Sequence, residues 1–174
     1  MFVKNARQRL TQAVIVCVAL VFAGVASAQT VEPGTGKPIL TITGKIAGGD
    51  SGTSVQFDRE ALEALGMVTV ETKTPWYDHV VKFEGVPLDK LMEKVGAKGD
   101  KVVAVALNDY SSEIPIEDFA KYKTILALKR DGQYMPVRDK GPLFVIYPYD
   151  SQPELKSHKF YSRSVWQVTR LEVK

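Results

Sequence analysis

The chain contains one cysteine, Cys17, and this residue lies in an apolar run near the N-terminus. All residues after position 17 are therefore thiol-free, so they can form no disulfide, no cysteine-based zinc site and no cysteine nucleophile. A fold of this part of the chain must be stabilised by apolar packing and by polar pairing alone. Its length is sufficient for a single buried core without such covalent or metal crosslinks.

Residues 1–28 have the pattern of a secretory signal peptide. Basic residues precede an apolar run from Ala13 to Val25, and the small residues Ala26-Ser27-Ala28 form a typical cleavage site. A retained membrane anchor is the alternative, but the run is shorter than the ~20 residues that span a bilayer. Because Arg7 and Arg9 are not adjacent, we expect general secretion rather than the twin-arginine route. We therefore predict a periplasmic protein without stable membrane insertion.

Removal of the leader leaves a Thr-, Pro- and Gly-rich arm at residues 29–37 and one domain at residues 38–174. The leader holds three of the 23 basic residues and none of the 20 acidic residues, so the remaining chain is electrically balanced. This balance gives no reason to expect nucleic acid as a partner.

The remaining chain has many short strand patterns and few helical ones. Strands are predicted by alternating or continuous apolar residues at Ile39–Ile46, Ser54–Phe57, Val68–Thr72, Val80–Phe83, Val102–Leu107, Thr124–Leu128, Gln133–Val137, Leu143–Ile146 and Val165–Val173. Asp131-Gly132 is a hairpin signal. Short helices are predicted at Arg59–Leu65 with Asp58 as its cap, after Pro87, and at Ile116–Tyr122. Regular βαβ alternation is absent from the sequence, so we predict an α+β fold with a mixed β-sheet core.

Three segments are predicted as loops. These are the aromatic segment Lys73–His79, the polar segment Asn108–Glu113 and the proline-containing segment Tyr147–Ser157. A further glycine-rich turn at residues 48–52 lacks the following lysine and helix of a phosphate-binding loop.

Four segments, in order, resemble motifs of the sulfite-oxidase-type molybdopterin-binding domain. They are Phe83–Leu91, Val102–Tyr110, Gly141–Pro148 and Ser162–Val168, and together they span about Val68 to Lys174. The resemblance implies that fold, with molybdopterin as the cofactor.

In that family the molybdenum is held by the pterin dithiolene and one protein cysteine. The resemblance places the cysteine near Thr72 or Lys73, and neither side chain supplies a soft thiolate. A family arginine is also replaced, by Leu143 or Phe144. A chain exported unfolded carries no cofactor inserted in the cytoplasm. We therefore lean away from an enzyme and expect no bound cofactor, although molybdopterin is the one that the resemblance allows.

The candidate cleft combines aromatic and polar side chains from three segments. Those predicted to bind a ligand are Trp76, Tyr77, His79, Asn108, Tyr110, Arg138, Lys156, Lys159 and Arg163. Flat rings offer stacking surfaces, and basic side chains offer charge-assisted hydrogen bonds to phosphate or carboxylate. The alternatives are an aromatic loop that covers the core edge, a solvated turn, and a solvated basic surface neutralised by Asp150 and Glu154.

These observations favour a non-catalytic module that binds a small anionic ligand, or a periplasmic or membrane partner protein. The alternatives are a molybdopterin-dependent oxidoreductase with non-cysteine ligation of the metal and an accessory subunit of a redox complex. We predict no metal site in the protein itself, because His79 and His158 are its only histidines and show no ligand spacing.

Overall fold

Ten β-strands form two five-stranded sheets in the described part of the chain, residues 36–47 and 54–174 of the computed structural model. The strands are β1 Leu40–Gly44, β2 Ser54–Phe57, β3 Val68–Lys73, β4 Val80–Pro87, β5 Lys101–Ala106, β6 Ser111–Pro115, β7 Ile125–Arg130, β8 Gln133–Tyr134, β9 Phe144–Ile146 and β10 Val168–Val173. The helices are α1 Arg59–Glu63, α2 Leu88–Lys94, α3 Glu117–Tyr122 and α4 His158–Arg163. Short 3-10 turns occupy Val137–Asp139 and Pro153–Leu155.

Three sequence predictions concern residues outside the described ranges. The signal peptide at residues 1–28 lies there, as do the arm up to residue 35 and the glycine-rich turn at residues 48–52. Within the described ranges, no helix has the length and apolar character needed to span a membrane.

The first sheet has the strand order β2-β1-β10-β5-β6 and is mixed. Strands β1 and β10 run parallel, with Ile42 opposite Leu171, while the other neighbours are antiparallel. The predicted apolar strand at Val102–Leu107 is present as β5 in the sheet interior, and the final strand β10 lies at the sheet centre. The predicted α+β fold with a mixed sheet is confirmed.

The second sheet has the order β3-β4-β7-β8, with β9 also paired to β7, and all its pairings are antiparallel. Strand β4 contains an irregularity between Glu84 and Gly85 where it pairs with β7. A Cβ atom at Gly85 would lie 2.2 Å from the carbonyl oxygen of Leu126, so this close approach requires glycine.

The core contains the residues that the periodicities predict. Leu40 and Ile42 of β1 are buried, and α2 buries Leu88, Leu91 and Met92 on one face. Full burial of each such side chain is worth about 1.5–3 kcal/mol relative to exposure.

Asp58 caps α1, as its position in the sequence predicts. Its carboxylate accepts hydrogen bonds from the Ala61 N–H at 2.8 Å and the Gly36 N–H at 2.6 Å. The hydrogen bonds from Ala61 and Gly36 lower the pKa of Asp58. The cap therefore also fastens the segment before β1 to the helix.

Several elements differ from the sequence predictions. The predicted strand Gln133–Val137 is limited to β8, Gln133–Tyr134, and Val137 begins a 3-10 turn. Strand β6 occupies Ser111–Pro115, where a loop was predicted over Asn108–Glu113, because an edge strand needs only one inward side chain, here Ile114. Helix α4 was not predicted, because its six residues contribute a single buried side chain, Phe160, and no helical periodicity.

Helix α4 is fixed to α3 by a buried carboxylate. Arg163 donates a hydrogen bond to Asp118 at 2.7 Å, and the Tyr147 hydroxyl donates to the same carboxylate oxygen at 2.8 Å. The Arg163 and Asp118 side chains are only 16% and 6% exposed. Burial and the Asp118 charge raise the pKa of the Tyr147 phenol. Tyr147 therefore stays protonated and continues to donate.

We expect Asp118→Ala to lower the free energy of unfolding by about 3 kcal/mol, because it leaves the Arg163 charge largely buried without its partner. Urea denaturation measures this change. The matched control is Glu113→Ala, which removes an exposed ion pair with Lys101 and is expected to cost less than about 1 kcal/mol. Equal costs for the two variants would show that Asp118 does not anchor α4.

Candidate functional site

The structure contains an open cleft of about 360 Å³. Aromatic and small polar side chains form its walls. The lining residues are Trp76, Ala106, Asn108, Tyr110, His158, Tyr161, Ser162, Ser164 and Trp166. Such a mixture of apolar walls and a few polar groups is typical of small-molecule sites.

Three parts of the fold contribute these walls. Trp76 comes from the loop between β3 and β4, and Asn108 and Tyr110 come from the turn between β5 and β6. Helix α4 and the segment that follows it, up to Trp166, supply the remaining wall. The cleft therefore lies where loops from both sheets meet α4.

Trp76 is the centre of the aromatic wall. Its ring centroid lies 5.8 Å from that of Trp166 and 6.1 Å from that of Tyr161, both in edge-to-face geometry. The buried Phe144 ring lies 5.2 Å away and supports it. Edge-to-face contacts at these distances favour a fixed arrangement of rings. The cleft thus has preformed flat surfaces that can stack on a planar ligand.

Hydrogen bonds hold the polar rim in place. The Tyr110 hydroxyl donates to the Ser162 carbonyl at 3.0 Å, which joins the β6 side of the cleft to α4. The Asn108 side-chain oxygen accepts from the Tyr110 N–H at 3.2 Å. These bonds fix the orientation of Tyr110, which is 48% exposed.

Ser164 lies at the base of the cleft and has its hydroxyl fully engaged. It donates to the Phe160 carbonyl at 3.0 Å and accepts from the Tyr149 hydroxyl. Burial raises the pKa of the Tyr149 phenol, so Tyr149 is a donor and not a base. Ser164 therefore positions the wall and is not activated as a nucleophile.

The side chains of the predicted aromatic loop have three different surroundings. Trp76 enters the cleft, whereas the Tyr77 hydroxyl accepts a hydrogen bond from Arg130 at 2.7 Å. Partial burial raises the pKa of the Tyr77 phenol, against the opposing effect of Arg130. His79 lies 2.8 Å from Asp78 and is 60% exposed. Of the predicted residues in this loop, only Trp76 lines the cleft.

The predicted basic residues lie outside the cleft lining. Arg163 pairs with Asp118, and Lys156 pairs with Asp150 at 2.7 Å. Lys159 lies over the Phe160 ring at 5.2 Å, and Arg138 lies in a 3-10 turn with an exposed side chain. Their cationic groups therefore contribute no wall of this cleft.

Sequence reasoning did not propose Ala106, Ser162, Ser164 or Trp166 as site residues, and it noted His158 and Tyr161 only with the basic cluster around Lys156. Ser162, Ser164 and Trp166 fall in a segment that was noted only for its family resemblance. Trp166 offered one signal, because it is one of two tryptophans in the chain and the other is Trp76. The contribution of α4 to the cleft could not be predicted, because the sequence of this helix has little apolar periodicity.

Thr72 and Lys73 occupy the position that the resemblance gives to the metal-binding cysteine. Thr72 is fully buried, and its hydroxyl accepts from the Asp150 N–H at 3.1 Å. The Lys73 N–H donates to the Asp150 carboxylate at 2.7 Å. The hydrogen bond from Lys156, followed by that from Lys73, lowers the pKa of Asp150. The hydroxyl and the carboxylate at this position are thus already bonded within the protein.

These residues do not fit a molybdenum cofactor that needs a protein thiolate. Thr72 offers a hard oxygen donor and Lys73 an ammonium group, and neither replaces a soft sulfur ligand. Among residues 36–47 and 54–174, no group of three His, Cys, Asp or Glu side chains is arranged to hold a metal ion.

One comparison with known proteins identifies a family. The family model described as the oxidoreductase molybdopterin binding domain matches residues 57–153, more than half of the chain. The matched range includes Thr72, Trp76 and Tyr110 but ends before α4 and Trp166. No curated protein is significantly similar in sequence to this chain.

The two tryptophans give a direct test of the cleft geometry. Their centroids lie 5.8 Å apart at an interplanar angle of 76°. At this separation the indole transitions couple, so we expect an exciton couplet in the far-ultraviolet circular dichroism spectrum. Trp76→Phe and Trp166→Phe are each expected to abolish it. A couplet that survives in either variant would contradict the arrangement of the aromatic wall.

Proposed function

Because the chain belongs to the oxidoreductase molybdopterin-binding domain family, we propose that it is an exported protein that uses this fold to bind a ligand without redox chemistry. The ligand is small and anionic and contains a flat ring. It lies in the aromatic cleft, between the walls that Trp76, Tyr110 and Trp166 provide.

Two observations together support this proposal. The protein has a preformed aromatic cleft, and it has no thiolate at the position that the resemblance gives to the metal ligand. The rings of Trp76 and Trp166 meet edge to face and present flat surfaces to a ligand. At the position that the resemblance gives to the metal-binding cysteine, near Thr72 or Lys73, the Thr72 hydroxyl is bonded to Asp150. The cleft is therefore suited to hold an organic ring, and its surroundings are not suited to hold the family's metal.

The proposal also includes a partner protein that recognises the ligand-bound form of this protein. Leu107 and Val137 are each 51% exposed and line a second cavity of about 290 Å³. Leu107 is flanked in sequence by the cleft residues Ala106 and Asn108. This adjacency supports a surface that responds to the ligand and contacts a periplasmic or membrane protein.

Metal analysis tests the absence of redox chemistry. We expect protein released from the periplasm of its native host, grown with molybdate, to contain far less than one molybdenum atom per chain. Elemental mass spectrometry measures this ratio, and intact mass measures the N-terminus, which is expected at Gln29. Molybdenum near one atom per chain would contradict a non-redox role. An intact leader in this fraction would contradict cleavage after Ala28.

The partner surface is tested by Leu107→Asp, which places a charge in the exposed apolar patch. We expect this variant to lose co-purification of a periplasmic or membrane protein that wild type retains, because a buried unpaired charge opposes association. The matched control is Val80→Asp, at a similarly exposed apolar position (49% against 51%) on strand β4. Loss of the partner in both variants would show that Leu107 has no specific role.

A further inference from the structure

His158 is the one lining residue of the cleft, among the residues that the structure describes, whose side chain can become a cation. It is the first residue of α4 and is exposed to solvent. Histidine is the side-chain type that ordinarily gains a charge between about pH 5 and 8. The other titratable lining residues, Tyr110 and Tyr161, are phenols and carry no positive charge.

The acidic groups of the two elements packed against α4 already have partners, and Asp109, in the turn between the lining residues Asn108 and Tyr110, is exposed to solvent. Strand β6 and the Pro153–Leu155 turn pack against α4. Glu113 of β6 pairs with Lys101 at 2.9 Å. Glu154 of the turn accepts from the Tyr122 hydroxyl at 2.8 Å and lies 4.0 Å from Lys121.

The other cationic side chains near the cleft contact other groups and do not line the cleft. On α4 itself, Arg163 is bound to Asp118, and Lys159 lies against the Phe160 ring. Lys140, across the cleft wall, lies 5.4 Å from the centroids of both Trp166 and Tyr77. It is not a lining residue of the cleft. A positive charge inside the cleft therefore depends on protonation of His158.

We infer that His158 selects ligands with a negative oxygen group and makes their affinity rise as the pH falls. This inference rests on the proposed function, because it assigns a charge contact to the same aromatic cleft. The ring of the ligand packs against the aromatic wall, where Trp166 is 39% exposed, and its carboxylate, phosphate or sulfonate group accepts a hydrogen bond from the protonated imidazole. Charge-assisted hydrogen bonds of this kind are stronger than neutral ones. The predicted lysines and arginines are not needed for this contact.

The test compares naphthalene-2-sulfonate, which stays anionic throughout the pH range, with the neutral naphthalene-2-carboxamide. Binding is followed through the two indole N–H signals in nuclear magnetic resonance spectra, since both tryptophans line the cleft. At about pH 5.5 we expect the sulfonate to bind roughly tenfold tighter than the amide, and at about pH 8 we expect this preference to be largely lost.

His158→Gln is expected to remove the pH-dependent preference for the sulfonate over the amide. The matched control is His79→Gln, which removes the other histidine, located outside the cleft lining, and is expected to keep the wild-type pH dependence. A preference that survives in His158→Gln, or one that does not change with pH in wild type, would overturn the inference. If neither probe shifts the indole signals of wild type, the cleft is not an aromatic-ligand site and the proposed function itself fails.

Discussion

The buried carboxylate of Asp118 is the interaction on which the candidate site depends. It accepts hydrogen bonds from Arg163 and Tyr147 and so joins α3, α4 and the segment after β9. Helix α4 has only six residues and buries one side chain, so its intrinsic helical stability is low. The ion pair therefore holds a weak helix in place, and that helix carries His158, Tyr161 and Ser162 into the cleft. Arg163, which the sequence suggests as a ligand contact, instead supports the cleft wall through its pairing with Asp118.

Thr72 and Lys73, at the position that the resemblance gives to the metal ligand, have a comparable internal use. The Thr72 hydroxyl and the Lys73 N–H are both bonded to Asp150, which also pairs with Lys156. This network connects β3 to the loop after β9, so these residues contribute to holding the fold together. The aromatic cleft persists beside it, lined from the β3–β4 loop by Trp76. The site thus keeps surfaces for an organic ring and lacks a thiolate for a metal.

Elements with strong local sequence patterns could be predicted from the sequence alone. The apolar spacing of α2, the Asp58 cap and the continuous apolar run of β5 each predicted the observed element, because local physics determines them. Edge strand β6 was read as a loop because its outward residues are serine and glutamate. In the site, Trp76, Asn108 and Tyr110 were predicted to bind and do line the cleft. Arg163 does not, because its partner Asp118 lies 45 residues earlier in the chain and no sequence pattern shows that pairing.

The proposed function requires the aromatic cleft to carry an organic ligand in the cell. Native mass spectrometry of the protein released from the periplasm of its own host tests it most directly, with Trp76→Ala as the paired sample. We expect a non-covalent small-molecule adduct on wild type that is absent from the variant, in protein of unchanged folding. A wild-type protein with no adduct, or an adduct retained in full by Trp76→Ala, would contradict the claim.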